Sequence, residues 1–326
     1  MNGLKARILE AVETDLQAIE AALVANLTPH LELVREVAGH ILFNGGKRMR
    51  PLLLVLSARL CGYRGTYDVV FSSALEYLHA ATLLHDDLVD GAATRRRKPA
   101  AHRLWGNAIA VLVGDFLLAR ALSLTAATGD PKIVAVLARL TEEMSQGEVH
   151  QLQRKRDPAL TEEEYFEVVR RKTAVLFEAA CRVSALLAQA PAAAEEALSA
   201  YGLGLGYAFQ IADDLLDYTA DPARLGKDVG SDLREGKMTL PLIRGLALAG
   251  GEERARMIAM IREPGFTDTD FAWLRGRLEE SGAIAYARRA AETRIAAAKR
   301  HLEVFPASPT RRTLEDLADY ALERSL

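Results

Sequence analysis

Two stretches carry the residues best suited to chemistry: Leu84-His-Asp-Asp-Leu-Val-Asp90 and Phe209-Gln-Ile-Ala-Asp-Asp-Leu-Leu-Asp-Tyr218. Each sets an Asp-Asp-x-x-Asp inside an apolar run. On a helix, Gln210, Asp213, Asp214 and Asp217 fall at i, i+3, i+4 and i+7 and form one polar stripe flanked by Ile, Ala and Leu. In the first copy His79, Asp86 and Asp90 line up, with Asp87 beside them. Carboxylates crowded on an apolar helix face repel one another and are costly unless a cation sits between them. Oxygen donors without a nearby Cys or paired His suit Mg²⁺, which is held by a few carboxylates together with substrate phosphates. A single such stripe is as readily a solvated helix face. Two embedded copies point instead to Asp86, Asp87, Asp90, Asp213, Asp214 and Asp217 as metal ligands. Facing each other across a cavity, they would clamp several Mg²⁺ ions and, through them, a diphosphate.

The elements that must position these stripes read as helices throughout. Periodicity predicts helices over 4–26, 29–43, 51–61, 67–91, 99–127, 131–153, 162–189, 193–219, 238–249, 252–262, 268–280, 282–303 and 309–324. Thr28-Pro29, Asp130-Pro131, Asp157-Pro158 and Ser308-Pro309 each look like a cap followed by a first-turn proline, and Thr161 to Glu164 is a capping box. No alternating strand or Asn-Gly hairpin signal stands out. The expectation is an all-α chain, and without a Gly/Ser linker or composition shift, a single domain over 1–326. The repeated motif hints at a duplicated bundle, although nothing else repeats.

Composition narrows the class. The net charge of −3 leaves no basic footprint for nucleic acid. Cys61 and Cys181, in separate helical contexts, read as reduced, packed thiols of a reducing compartment. The N-terminus has no apolar core followed by a cleavage site, so it is not a signal peptide. Ala108 to Gly129 is the most membrane-like stretch, but Asp115 and Arg120 interrupt it. A soluble cytoplasmic protein is expected, with peripheral membrane contact at most.

Polar segments between the helices add candidates. In Asn44-Gly-Gly-Lys-Arg-Met-Arg-Pro51 the glycines expose backbone N–H groups while Lys47, Arg48 and Arg50 cluster, which suits an anion; the plainer reading is a basic turn. Arg95-Arg-Arg-Lys98 follows Asp90 closely enough to share its phosphates, although such runs are usually solvated. The loop from Leu225 to Pro241 offers Lys227 and Lys237, with Asp228 and Asp232 as outer groups. Lys172-Thr173 lies in an apolar helix, where an inward lysine must find an anion. Gly202, Gly204 and Gly206 imitate a nucleotide fingerprint but lack the preceding strand, so they read as close helix packing. His85 and Tyr207 read as packing groups, or as groups that support the ligands from behind, rather than as catalytic ones.

Taken in order, Gly45 to Pro51, His85 to Asp90, Val113-Gly-Asp-Phe-Leu-Leu-Ala-Arg120, Gly147-Glu-Val-His-Gln151, Arg171-Lys-Thr173 and Phe209 to Tyr218 resemble the trans-isoprenyl diphosphate synthases, the polyprenyl synthetase family, along essentially the whole chain. The resemblance implies a bundle of mostly antiparallel helices around a deep central cavity, normally a homodimer. It implies Mg²⁺ on both aspartate motifs, Arg95, Lys172, Lys237 and Lys227 on an allylic diphosphate, and Lys47, Arg50, His79 and Arg96 on isopentenyl diphosphate. Thr173 and Gln210 match positions near the reacting carbons. Arg97 and Gln146 depart from the usual glycine and acidic residue. The implied chemistry is ionisation of an allylic diphosphate, attack by the alkene of isopentenyl diphosphate and loss of a proton, which needs no protein nucleophile. Small residues at Ala81 and Thr82, where short-product members place an aromatic, imply a medium or long product, about octaprenyl, over a floor such as Phe116, Leu122 or Met144. A shorter-chain synthase, a class I terpene cyclase and a non-catalytic synthase subunit are the competing readings.

Overall fold

The computed structural model describes residues 3–96, 98–219, 230–263 and 265–323; Arg97, Lys227 and Asp228 lie outside the described residues. Among the described residues the chain is all-α apart from one short ribbon. Helices α1 (Gly3–Asn26), α2 (Glu32–Leu42), α3 (Met49–Leu60) and α4 (Tyr67–Val89) precede the antiparallel strands β1 (Thr94–Arg95) and β2 (Lys98–Pro99). There follow α5 (Ala101–Trp105), α6 (Asn107–Ala126), α7 (Pro131–Gln153), α8 (Glu162–Val169), a π-helical turn Arg170–Ala174, α9 (Val175–Leu187) and α10 (Ala192–Thr219). The chain is completed by α11 (Ser231–Arg234), α12 (Leu240–Leu248), α13 (Gly251–Arg262), α14 (Asp268–Glu280), α15 (Ala283–His301), a 3₁₀ turn Leu302–Val304 and α16 (Pro309–Glu323).

The chain divides into two compact units. In the first (Met1–Leu140, Ala179–Ser199, Val304–Leu314), α4 is the hub against which α1, α2, α3, α5 and α6 pack. Its buried residues explain why: Phe71, Ala74, Leu75, Leu78, Ala81 and Leu84 recur at helical spacing and remove a broad apolar face from water. Buried Tyr77 donates to the Leu23 carbonyl at 2.5 Å and ties α4 to α1. Helix α4 stops at a Schellman turn: Gly91 takes φ +64°, its N–H reaches the Leu88 carbonyl at 3.2 Å, and Ala92 N–H reaches the Asp87 carbonyl at 2.9 Å. Asp86, Asp87 and Asp90 therefore crowd the negative end of the helix dipole, and no basic residue lies in the last turn to offset them.

In the second unit (Thr141–Glu178, Ala200–Glu303, Glu315–Leu326), α12 packs on α8, α14 and α15. The acidic stripe again falls in the C-terminal part of a helix without basic residues in its last turn, α10. Two glycines bring helices to the π turn. A Cβ on Gly147 of α7 would stand 2.7 Å from the Lys172 nitrogen, and one on Gly206 of α10 would stand 2.5 Å from the Ala174 Cα. Glycine is the residue these approaches require. Gly202 lies likewise against the Phe177 carbonyl, and Gly204 against Ala298. The glycine run is thus a packing surface and not a nucleotide fingerprint.

Several expected boundaries move. Helix α2 starts at Glu32 after Leu31, so Thr28-Pro29 is not its cap. Asp157-Pro158 opens a turn, with Ala159 N–H on the Asp157 carboxylate at 2.9 Å, and no helix starts there. The single helix expected over 99–127 breaks at Gly106 (φ 85°), and Pro99 sits in a strand. The one over 162–189 holds the π turn. The caps at Asp130, Thr161 and Ser308 form as expected. Helix α6 reaches the length and apolarity of a membrane span, with mean hydropathy 1.8 over a window 39% buried, despite Asp115 and Arg120. Both interrupting charges have protein partners: Asp115 is 3.5 Å from His85, and Arg120 donates to the Asn26 carbonyl at 2.7 Å. Neither Cys61 nor Cys181 is in a disulfide, and burial pushes the Cys61 thiol up to about 11.

Candidate active site

In the first unit, the Gly45 loop enters α3 through Arg48, whose backbone is left-handed (φ 47°, ψ 32°). That conformation turns the guanidinium inward. Arg48 is 6% exposed and donates to Glu20 at 2.6 Å, Glu76 at 3.0 Å and the Leu42 carbonyl at 2.7 Å. It therefore leaves the cation cluster expected of Lys47, Arg48 and Arg50 and belongs to the core. Lys47 remains exposed and Arg50 half-buried.

The β ribbon, which the sequence pattern missed, aims its arginines in two directions. Arg95 grips Asp87, with Nη2 to Oδ1 at 2.6 Å and Nε at 2.7 and 2.8 Å from the two oxygens, and Asp87 is 2% exposed. Arg96, at φ 51°, donates to the Gly45 carbonyl. His79 lies on α4 among Arg50, Arg96, Arg95 and Arg48; desolvation and these cations push its pKa well below the usual imidazole value. The structure thus gathers Arg50, His79, Arg95 and Arg96 around one acidic helix end. Beside them, His40, Asn44, Asp87, Arg95 and Arg96 line a small open cleft. Several guanidinium groups about a neutral imidazole make a field suited to a polyanion. Asp86 and Asp90 are half-exposed. Of the chain-length positions, Ala81 is 3% exposed and Thr82 is half-buried, donating to the His79 carbonyl at 2.8 Å. Leu122 is 41% exposed and does not serve as an interior floor; Phe116 is half-buried.

In the second unit, the π turn presents Lys172 to Glu148 and Thr173 to Gln210, whose Oε1 accepts from the Thr173 hydroxyl at 2.9 Å. Gln210 in turn donates to one oxygen of Asp214 at 2.7 Å, and the buried Tyr165 hydroxyl donates to the other at 2.7 Å. Burial, then the Asp232 charge, raises the Asp214 pKa; the two hydrogen bonds oppose this. Asp217 caps α11, accepting from the N–H groups of Ser231 and Asp232, each at 3.1 Å. Asp213 alone of this motif is exposed. Lys237 lies 2.5 Å from Glu235 and 3.8 Å from Asp232. Gln146, where an acidic residue was expected, accepts from Arg171 at 3.2 Å, and Glu143 and Glu167 supply the carboxylates of that network. His85 packs under α6, with Nε2 3.2 Å from the Val111 carbonyl and 3.5 Å from Asp115, and Tyr207 packs against Phe166 and Arg294.

Sequence reasoning missed Tyr165, and it named Glu148 only within the Gly147 to Gln151 motif, without a role. Nothing marked Tyr165 among ordinary core aromatics. The lysine at 172 did signal that an anion must be near, and in this structure that anion is Glu148.

An all-α chain with two aspartate-rich helix ends and a separate nest of guanidinium groups has the parts of an enzyme that handles diphosphates through cations. Residues 31–273 match the family described as Polyprenyl synthetase. The chain is 40% identical to octaprenyl diphosphate synthase of Escherichia coli (strain K12), over 98% of both proteins. It is 38% identical to the all-trans-nonaprenyl-diphosphate synthase (geranyl-diphosphate specific) of Rhodobacter capsulatus, again over 98% of each. It also superposes, with a TM-score of 0.93, 41% identity and 98% coverage of both chains, on the crystal structure of a polyprenyl synthase from Caulobacter crescentus CB15 complexed with calcium and isoprenyl diphosphate. The chain belongs to the polyprenyl synthetase family and is a trans-prenyltransferase that uses isoprenoid diphosphates.

The burial of Arg48 gives a prediction that separates it from its neighbours. Arg48→Ala leaves Glu76 buried without its partner and should lower unfolding stability by about 3 kcal/mol in a urea titration. An unchanged midpoint would return Arg48 to the surface cluster.

Proposed function

We propose that the chain condenses an allylic diphosphate, such as farnesyl diphosphate, with successive isopentenyl diphosphate units to an all-trans product of medium or long chain, about octaprenyl. The observation that carries this reading is the guanidinium nest around His79. A terpene cyclase has no need of a second diphosphate site. The relatives named above, octaprenyl and nonaprenyl synthases, support the length. Residues 1–326 are taken as one functional domain in a cytoplasmic enzyme, which cell fractionation would test.

The donor set fits Mg²⁺. Among the described residues no three His, Cys, Asp or Glu side chains converge as a ready-made cage. Mg²⁺ does not require one, because it takes one or two carboxylates and fills its octahedron with water and substrate phosphate oxygens. Asp86, Asp90 and Asp213 keep accessible surface for that role, whereas Asp87, Asp214 and Asp217 are buried against protein partners and hold the helix ends in shape. Bound metal supplies Lewis-acid neutralisation of the diphosphate. The chain's own residues do the rest: Arg95, Lys172 and Lys237, with Lys227, attract the allylic diphosphate, and Lys47, Arg50, His79 and Arg96 hold isopentenyl diphosphate. Lys172 and Lys237 are paired with Glu148 and Glu235 at partly exposed sites, and such pairs are weak enough to be exchanged for a phosphate. Thr173 and Gln210, fixed by their mutual hydrogen bond, orient groups beside the reacting carbons.

The homodimer is part of the same proposal. Along α6, Ala108, Leu112, Asp115, Ala119, Leu122 and Ala126 recur at helical spacing and are exposed, with Leu112 at 65%. A second copy covering this face would remove it from water.

Three outcomes are expected. Purified protein given farnesyl diphosphate, isopentenyl diphosphate and Mg²⁺ should yield a polyprenyl diphosphate by mass spectrometry, and Asp86→Ala or Asp213→Ala should lower turnover about 100-fold or more with helix content retained. A cyclised product, or no product, would instead favour the cyclase or the non-catalytic subunit. Ala81, one turn and a step before Asp86 at about 1.5 Å per residue, is where the growing tail must pass. Ala81→Phe should therefore shorten the product towards farnesyl or geranylgeranyl with the first condensations intact; an unchanged ladder would move the limit elsewhere. Leu112→Glu should shift the sedimentation coefficient from dimer to monomer, and a wild-type monomer would remove the dimer.

A further inference from the structure

The nest around His79 is assembled from two separate pieces of chain, the Gly45 loop leading to Lys47 and Arg50 and the ribbon carrying Arg95 and Arg96. Neither is stiff by itself. The loop contains Gly45 at φ +85° and Gly46 at φ +155°, and glycine has the most backbone freedom to lose when it is held there, while each strand of the ribbon has only two residues. Their spacing must be fixed by something else, because a diphosphate is gripped well only when its donors are held to about 0.5 Å.

His40 and Asn44 supply that constraint. The His40 Nε2 lies 3.0 Å from the Pro99 carbonyl at the end of the ribbon, and Nδ1 lies 3.2 Å from Asn44 Nδ2. A carbonyl only accepts, so Nε2 carries the proton; Nδ1 is then the acceptor for the Asn44 amide. The neutral Nε2–H tautomer satisfies both contacts at once. The other side of the Asn44 amide, Oδ1, accepts from Lys98 on the ribbon, which fixes the amide orientation from both ends. Arg96 adds a third tie by donating to the Gly45 carbonyl. Trp105 meets the His40 ring edge-on, with centroids 5.2 Å apart at 75°, and restrains its plane. The same two residues line the cleft with Asp87, Arg95 and Arg96.

We propose that His40 and Asn44 are positioning residues for the isopentenyl diphosphate subsite, clasping the Gly45–Lys47 loop to the Thr94–Pro99 ribbon so that Lys47, Arg50 and Arg96 converge on one diphosphate. They act through other residues and need not touch the substrate. The proposal rests on the assignment of that subsite given above, and its test separates the two. In steady-state kinetics His40→Ala and Asn44→Ala raise KM for isopentenyl diphosphate about tenfold, as expected for loss of one well-placed charged contact worth about 1.4 kcal/mol. Their kcat and their KM for farnesyl diphosphate stay within about twofold of wild type, a split that general damage would not produce. His40→Gln, whose amide can donate to the Pro99 carbonyl and accept from Asn44, restores the isopentenyl diphosphate KM. The proposal is overturned if His40→Ala and Asn44→Ala leave that KM unchanged, if both substrates suffer equally, or if His40→Gln is no better than His40→Ala. Should His40→Ala fail to fold, Asn44→Ala and His40→Gln carry the comparison. Lys47→Ala is the control: if it too leaves the isopentenyl diphosphate KM unchanged, the subsite assignment fails, whereas an effect of Lys47→Ala alone sinks only the clasp.

Discussion

The structure is governed by the cost of placing carboxylates at the negative ends of helix dipoles. Asp86, Asp87 and Asp90 end α4, and Asp213, Asp214 and Asp217 lie in the last turns of α10, with no basic residue in either last turn. Each motif carries its own internal compensation. Asp87 is held by Arg95; Asp217 receives the first N–H groups of α11; Asp214, its pKa raised by burial, accepts hydrogen bonds from Tyr165 and Gln210. Asp86, Asp90 and Asp213 keep accessible surface, so each stripe has a buried half that serves the fold and a half that faces water.

The cationic side of the chemistry depends on close backbone approaches. Lys172 and Thr173 sit in a π turn, a rare form that is frequent at functional sites, and the turn is gripped where side chains are absent, at Gly147 and Gly206. Larger residues there would push the turn away and take with it the hydrogen bond from Thr173 to Gln210 and so to Asp214. The order of the site thus passes from glycine spacing to backbone shape to hydrogen-bonded side chains.

Arg48 shows how neighbouring cations separate. Three basic residues within four positions look equivalent in a sequence, yet a left-handed backbone at the middle one sends it to Glu20 and Glu76 in the core and leaves Lys47 at the surface. A buried guanidinium needs carboxylates, and these came from α1 and α4, far along the chain.

The sequence by itself determined the helical class, most helix ranges, both aspartate stripes and the basic segments, because apolar periodicity and local caps are short-range and a motif's spacing on a helix is fixed by its pitch. It also settled that Gly202, Gly204 and Gly206 pack rather than bind, since no strand precedes them. Only tertiary structure decided which aspartates keep accessible surface, that Glu148 answers Lys172, that Arg48 is structural, and that a ribbon at Thr94–Pro99 interrupts the helices. Each of these turns on partners distant in sequence and on burial. A carboxylate's or guanidinium's role is set by what removes it from water, and the chain must fold before that is known.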